Sequence, residues 1–172
     1  MTFHVTITGA WGDPWYASYD EAQAADMLRR AAGHGYTVEL TSGGGFNVLR
    51  EIPGRGCRTI RCEPARKSGN LTPTVRRDLD LIAHRAGASW ETSGRIRAGH
   101  FSSIPPGASA RLRERGLITT EGEAVTVSLQ ARLARLHQDR RGSSPWSYKP
   151  TAGELAELPG RQPARNCGEA GA

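Results

Sequence analysis

Along the first residues, Phe3, Val5 and Ile7 alternate with His4, Thr6 and Thr8. That is the period of two expected of a half-buried strand. Residues 9–16 break the alternation and read as a turn-rich connection holding Trp11, Pro14 and Trp15. Ser18-Tyr19-Asp20-Glu21 then reads as a capping box, in which Ser18 and Glu21 each satisfy a free backbone N–H at the start of a helix. Ala24, Met27, Leu28 and Ala31 follow as one apolar stripe, and Gly33 and Gly35 supply its stop. Residues 36–40 and 46–52 predict a hairpin whose flexible tip is Gly43-Gly44-Gly45. A third short strand, around Cys57 and Cys62, follows the Pro53-Gly54 turn. The predicted order over residues 1–63 is β-α-β-β-β.

Residues 64–70 carry no periodicity and end in turn formers, so they predict a linker. A second helix opens at Leu71-Thr72-Pro73, with Thr72 as cap and Pro73 at the first helical position, where no N–H is needed. Val75, Leu79, Ile82 and Ala86 mark its buried stripe, and Gly87 ends it. Residues 88–104 lack a helical stripe, while Ser93-Gly94 fits the turn of a short hairpin between Trp90 and Ile96. Pro105-Pro106 opens a compact helix that Gly116 stops. Residues 117–120 and 125–127, joined by a turn at Glu121-Gly122, form a two-stranded ribbon. Ser128 then caps a last helix bearing Leu129, Leu133 and Leu136. From residue 142 to 172, Pro145, Pro150, Pro159 and Pro163 alternate with glycines and few apolar residues, the composition of a mostly disordered tail.

Charge changes this picture from a fold to a candidate partner. The chain of 172 residues carries 23 basic and 17 acidic side chains, a net of +6, and its pI is near 9.8. Residues 71–141 hold 12 of the basic and 7 of the acidic groups, so the excess is concentrated there. A localised positive field points to a polyanion, nucleic acid first. All but Lys67 and Lys149 of the basic residues are Arg, a skew that a GC-rich genome also produces. On the compact helix, Arg111 and Arg115 lie four residues apart and share a face, while Ala108 and Leu112 share another. Arg95 and Arg97 alternate with Ile96 and would leave a strand from the side opposite it. Arg76 and Arg77, near the start of the second helix, are placed to touch flanking phosphates. Arg suits both guanine edges and phosphate because its planar fork donates in pairs.

The phrase Leu112-Arg113-Glu114-Arg115-Gly116-Leu117-Ile118, followed by Val125-Thr126-Val127-Ser128-Leu129 and preceded by Leu71-Thr72-Pro73, resembles the winged helix-turn-helix domain of MarR-like proteins over residues 71–140. More loosely, the whole chain resembles small DNA-binding proteins of phages and mobile elements of GC-rich bacteria. The patterns together give an α+β protein: a small module at 1–63, a linker at 64–70, a basic domain at 71–141 that the resemblance makes winged-helix-like, and a tail at 142–172. The resemblance also implies a non-catalytic regulator that binds double-stranded DNA, with Arg76, Arg77, Arg95, Arg97, His100, Ser109, Arg111, Arg113 and Arg115 as candidate contacts. Two features depart from that family. Residues 88–104 supply no helix between the one at Leu71 and the compact one, where the family has its second helix, and the ribbon turn Glu121-Gly122-Glu123 is acidic and would repel phosphate.

The remaining patterns carry little chemistry. Gly43-Gly44-Gly45 lacks the Lys-Ser/Thr pair and the helix of a phosphate-cradling loop. Cys57 and Cys62, five apart, face opposite sides of a strand, and with Cys167 they make neither a metal set nor a disulfide framework. Asp78 and Asp80 lie about 200° apart around a helix and form no catalytic pair. His4, His34, His84, His100 and His137 are scattered. We therefore expect no enzyme, cofactor or metal, a cytoplasmic location with no membrane span, and a homodimer, if one forms, through strand edges of the first module. The alternative function is a protein-interaction adaptor that grips a host protein through the winged-helix scaffold or the N-terminal sheet, a reading that the acidic turn Glu121-Gly122-Glu123 and the aromatic loop Trp11, Trp15 and Tyr16 favour.

Overall fold

The computed structural model describes residues 1–9, 12, 14–66, 68–84, 87–140 and 148–157. The chain is mixed α+β, with two antiparallel five-stranded sheets and, among the described residues, five helices. The first sheet comprises β1 (Thr2–Gly9), β2 (Trp15–Asp20), β3 (Thr37–Leu40), β4 (Phe46–Ile52) and β5 (Gly56–Pro64), in the order β2-β1-β5-β4-β3. Val5 stands opposite both Ala17 and Cys62, and Cys62 opposite Phe46. One face therefore lines up Phe3, Val5, Cys62, Phe46 and Val48, all buried. Helix α1 (Glu21–Gly33) joins that core with Ala24, Leu28 and Ala31. Cys57, from the opposite face of β5, is exposed, as the spacing of the two cysteines requires.

Strand β2 corrects the predicted order to β-β-α-β-β-β. Ser18 lies inside this strand, opposite His4, and caps nothing. The capping box sits two residues later: Asp20 accepts from the Gln23 N–H at 2.8 Å, and the Gln23 side chain accepts from the Asp20 N–H at 2.9 Å. Both frames offer a polar residue three positions before Glu or Gln. Pairing of Trp15, Ala17 and Tyr19 with Ile7, Val5 and Phe3 decides between them.

The glycine loop is also not a flexible tip. Gly44 has φ +81°, and a Cβ there would lie 2.5 Å from the backbone oxygen of Gln130. Only glycine lets the loop approach a later helix this closely.

The second sheet follows α2 (Pro73–His84). It comprises β6 (Ser89–Trp90), β7 (Ile96–Ala98), β8 (Ser102–Ile104), β9 (Ile118–Glu121) and β10 (Ala124–Val127), in the order β8-β7-β6-β10-β9. The hairpin at Ser93-Gly94 forms with Trp90 opposite Ile96, and β8 extends it beyond the sequence reading. Helix α3 (Pro106–Glu114) lies between β8 and β9. Leu79, Ile82, Ile96, Ile104, Leu112, Leu117 and Val125 make this second core.

Helix α4 (Leu129–Arg140) belongs to both cores. Leu129 and Leu133 are buried with the first sheet, Ala131 and Ala134 with the second. Glu21, at the start of α1, accepts from the Leu129 N–H and, at 2.8 Å, from the Thr119 hydroxyl, so its carboxylate ties the start of α4 to α1 and β9. The stretch 64–70 is accordingly no free linker. Pro64 ends β5, Ser68 is fully buried, and the backbone oxygens of Arg66 and Ser68 accept from Gln130 and Arg115.

Residues 148–157, assigned from sequence to a disordered tail, are also built into the fold. Tyr148 forms a β-bridge to Leu40 on the edge strand β3, and Leu155 of α5 (Ala152–Glu157) is buried in the first core. The rest of that tail, 142–147 and 158–172, lies outside the described residues, as do Trp11, Ala86 and Cys167. No helix among the described residues is long and apolar enough to cross a membrane.

Candidate nucleic-acid interface

Several of the candidate arginines lie on or beside α3, and the local sequence explains how that helix is held. Pro106 occupies an initial position where its missing N–H costs nothing. Ser109 and Leu112 form the inward stripe, and the Ser109 hydroxyl donates to the Ile104 carbonyl at 3.1 Å. Ser109 is therefore a fully buried support of the helix and no contact residue, correcting its assignment from sequence. With about 100° per residue, Gly107, Arg111 and Glu114 are turned to the opposite side, and all three are exposed.

Arg111 is free of any ion pair among the described residues. Arg113 leaves the flank of the helix and lays its guanidinium over the Trp90 ring, 4.9 Å from the centroid. That cation–π contact orients the group without neutralising its charge. Arg66, assigned from sequence to the linker, donates to the Glu114 carbonyl at 3.2 Å and joins Arg113 in lining a cleft of about 390 Å³. Met1, Thr119 and Thr120 are also in its wall. Nothing in the periodicity of residues 64–70 marks Arg66, because its position depends on a contact 48 residues away. The turn bearing Arg95 meets the other end of α3, where a Cβ on Gly94 would be 3.6 Å from the Pro106 side chain.

Other candidates are drawn off. Arg115 turns inward: its guanidinium donates to the Ser68 carbonyl, through Nε at 2.9 Å and through Nη2, and to the Asn70 carbonyl at 2.9 Å. The shared face of Arg111 and Arg115 exists on the helix, but Arg115 uses it to clamp the connection between the two sheets. Arg76 is paired with Asp139 on α4 at 2.6 Å and is mostly covered. Arg77 is exposed, 3.3 Å from the buried Asp78 carboxylate. Arg97 does project opposite Ile96 and Ala98, and is exposed without an ion partner among the described residues. That places it on the sheet face away from the core that α3 covers. His100 is exposed at the β7–β8 tip, beside Phe101.

The candidates thus divide. Arg66, Arg95, Arg111 and Arg113 border α3, Arg97 and His100 belong to the neighbouring hairpin, Arg77 is exposed on α2 beside Asp78, and Arg76, Ser109 and Arg115 serve the scaffold. The acidic turn Glu121-Gly122-Glu123 is exposed, so the ribbon brings no positive charge to this surface. Comparison with protein-family models, curated proteins and solved structures finds no match for this chain.

Proposed function

We propose that this chain binds double-stranded DNA without catalysing a reaction, with α3 entering the major groove as the recognition helix of a winged-helix-like domain. The observation that carries this is the set of guanidinium groups bordering α3: Arg66, Arg95, Arg111 and Arg113 make no ion pair, although 9 ion pairs form elsewhere among the described residues. The element order supports it as well. A helix, α2, precedes α3, and the β9–β10 ribbon and α4 follow, with the β6–β8 hairpins standing where the family has its second helix. Regulation of transcription or of a mobile element, in the cytoplasm, is the role such a module would serve.

The test is a titration of labelled duplex DNA with the full chain at several salt concentrations. Four phosphate contacts predict that log K falls with log salt at a slope of about −3.6. Replacing both Arg111 and Arg113 by Glu should weaken binding and flatten the slope by about two, whereas Arg55→Glu in the β4–β5 turn should change neither. Salt-independent binding, or equal effects at all three positions, would remove the proposal.

A second function, protein adaptor, is favoured by Trp15 and Tyr16, which are 51% and 70% exposed on β2, the uncovered edge of the first sheet. In that case the full chain should leave immobilised duplex DNA at low salt, and the paired change Trp15→Ser and Tyr16→Ser should abolish partner capture.

A further inference from the structure

The β7–β8 hairpin ends in Gly99-His100-Phe101, and Phe101 is 102% exposed, the most exposed large hydrophobic side chain described. Its support is packed and hydrogen-bonded. Ile96 and Ile104 face each other across the hairpin, both buried, and the Ser109 hydroxyl holds the Ile104 carbonyl from α3. Ala98 pairs with Ser102 immediately before the tip, and Gly99 takes φ +70° to turn the chain. The aromatic ring is thus a projecting knob on a strand pair locked to the candidate recognition helix.

The surrounding chemistry selects its partner. The His100 ring lies 6.3 Å from that of Phe101 and is tilted by 58°, so the two rings do not cover each other and the faces of Phe101 remain open. Arg97 and Ser103 stand opposite each other on the hairpin, a cation beside a hydroxyl donor. Residues 96–104 contain no carboxylate. An aromatic knob flanked by donors and positive charge, with no acid, suits nucleic-acid bases and phosphates better than an apolar protein groove.

We propose that Phe101 is a base-stacking wedge: when α3 holds the duplex, the hairpin tip enters a base step and unstacks it, with His100 against the displaced base and Arg97 on the adjoining phosphate. This rests on the DNA-binding function proposed above, and the two separate in one set of titrations. Phe101→Ala should lower duplex affinity about tenfold at every salt concentration while leaving the salt slope unchanged, because stacking carries no counterion release. Phe101→Trp should restore the affinity. In a plasmid relaxed by topoisomerase, the wild-type chain should shift the topoisomer distribution and the Phe101→Ala chain should not. Full exposure of the side chain means that the substitution leaves thermal stability unchanged, which the melting temperature checks. A Phe101→Ala titration that superimposes on wild type, or a wild-type chain that binds without shifting topoisomers, overturns the wedge while DNA binding stands. A wild-type chain that shows no salt-dependent DNA binding overturns both.

Discussion

Arg115 separates a structural role from a contact role sharply. Its guanidinium serves two backbone carbonyls, on Ser68 and Asn70, and Ser68 is fully buried. Arg115→Met keeps the aliphatic stem and removes every donor, leaving the Ser68 carbonyl without its charged partner. Hydrogen bonds to a charged group are worth about 1.5–3 kcal/mol, and an orphaned buried acceptor costs about as much, so the net loss should be about 3 kcal/mol. For a chain of this length, that lowers the melting temperature by about 6–12 °C. Arg115→Lys, a point charge that reaches one carbonyl at a time, should lose about half as much. Thermal denaturation followed by circular dichroism measures the shift, and a DNA titration well below the transition should give the wild-type salt slope. A melting temperature within about 1 °C of wild type, with a slope flattened by about one, would show Arg115 to be a phosphate contact and refute the clamp.

Two further outcomes follow from titratable groups. Donation from the Thr151 N–H and the Tyr148 hydroxyl, with Arg140 nearby, holds the Glu154 carboxyl below its ordinary value of 4.5. A depressed carboxyl contributes stability that is present above the unfolded value and lost as pH falls through the folded one. Protection of residues 148–157 against hydrogen exchange should therefore decline below about pH 4.5 in the wild type, and Glu154→Gln should show the weakened protection already at neutral pH. Burial pushes the Cys62 thiol up to about 12, whereas Cys57 is exposed. Alkylation at pH 8 followed by peptide mapping should label Cys57 in the native chain and Cys62 only after unfolding; labelling of both at one rate would contradict the buried position.

Local rules carried much of the architecture. The alternation at Phe3, Val5 and Ile7, the stripe of α1, the Thr72-Pro73 start, the Trp90–Ile96 hairpin and the ribbon after Gly116 all depend on neighbours a few residues away, and each stands where the pattern put it. What the sequence left hidden depends on distant pairing. Strand β2 is a strand because β1 lies beside it, and that pairing takes Ser18 while Asp20 makes the cap. Residues 64–70 look like a linker until Gln130 and Arg115 reach them from later helices. The same limit governed the site. Exposure of Arg97 and Arg111 followed from strand and helix periodicity. The diversion of Arg76 to Asp139, the inward turn of Arg115 and the arrival of Arg66 beside Arg113 are tertiary events without a local signal.

The double membership of α4 also sets an order of events on the ribosome. The first sheet is complete in sequence at Pro64, yet its core still lacks Leu129, Leu133 and Leu155. At about 5–20 residues per second, those side chains emerge on the order of ten seconds later. Throughout that interval the nascent sheet is covered by α1 alone and part of its apolar face stays open, so termination before residue 129 costs more than the loss of the second sheet.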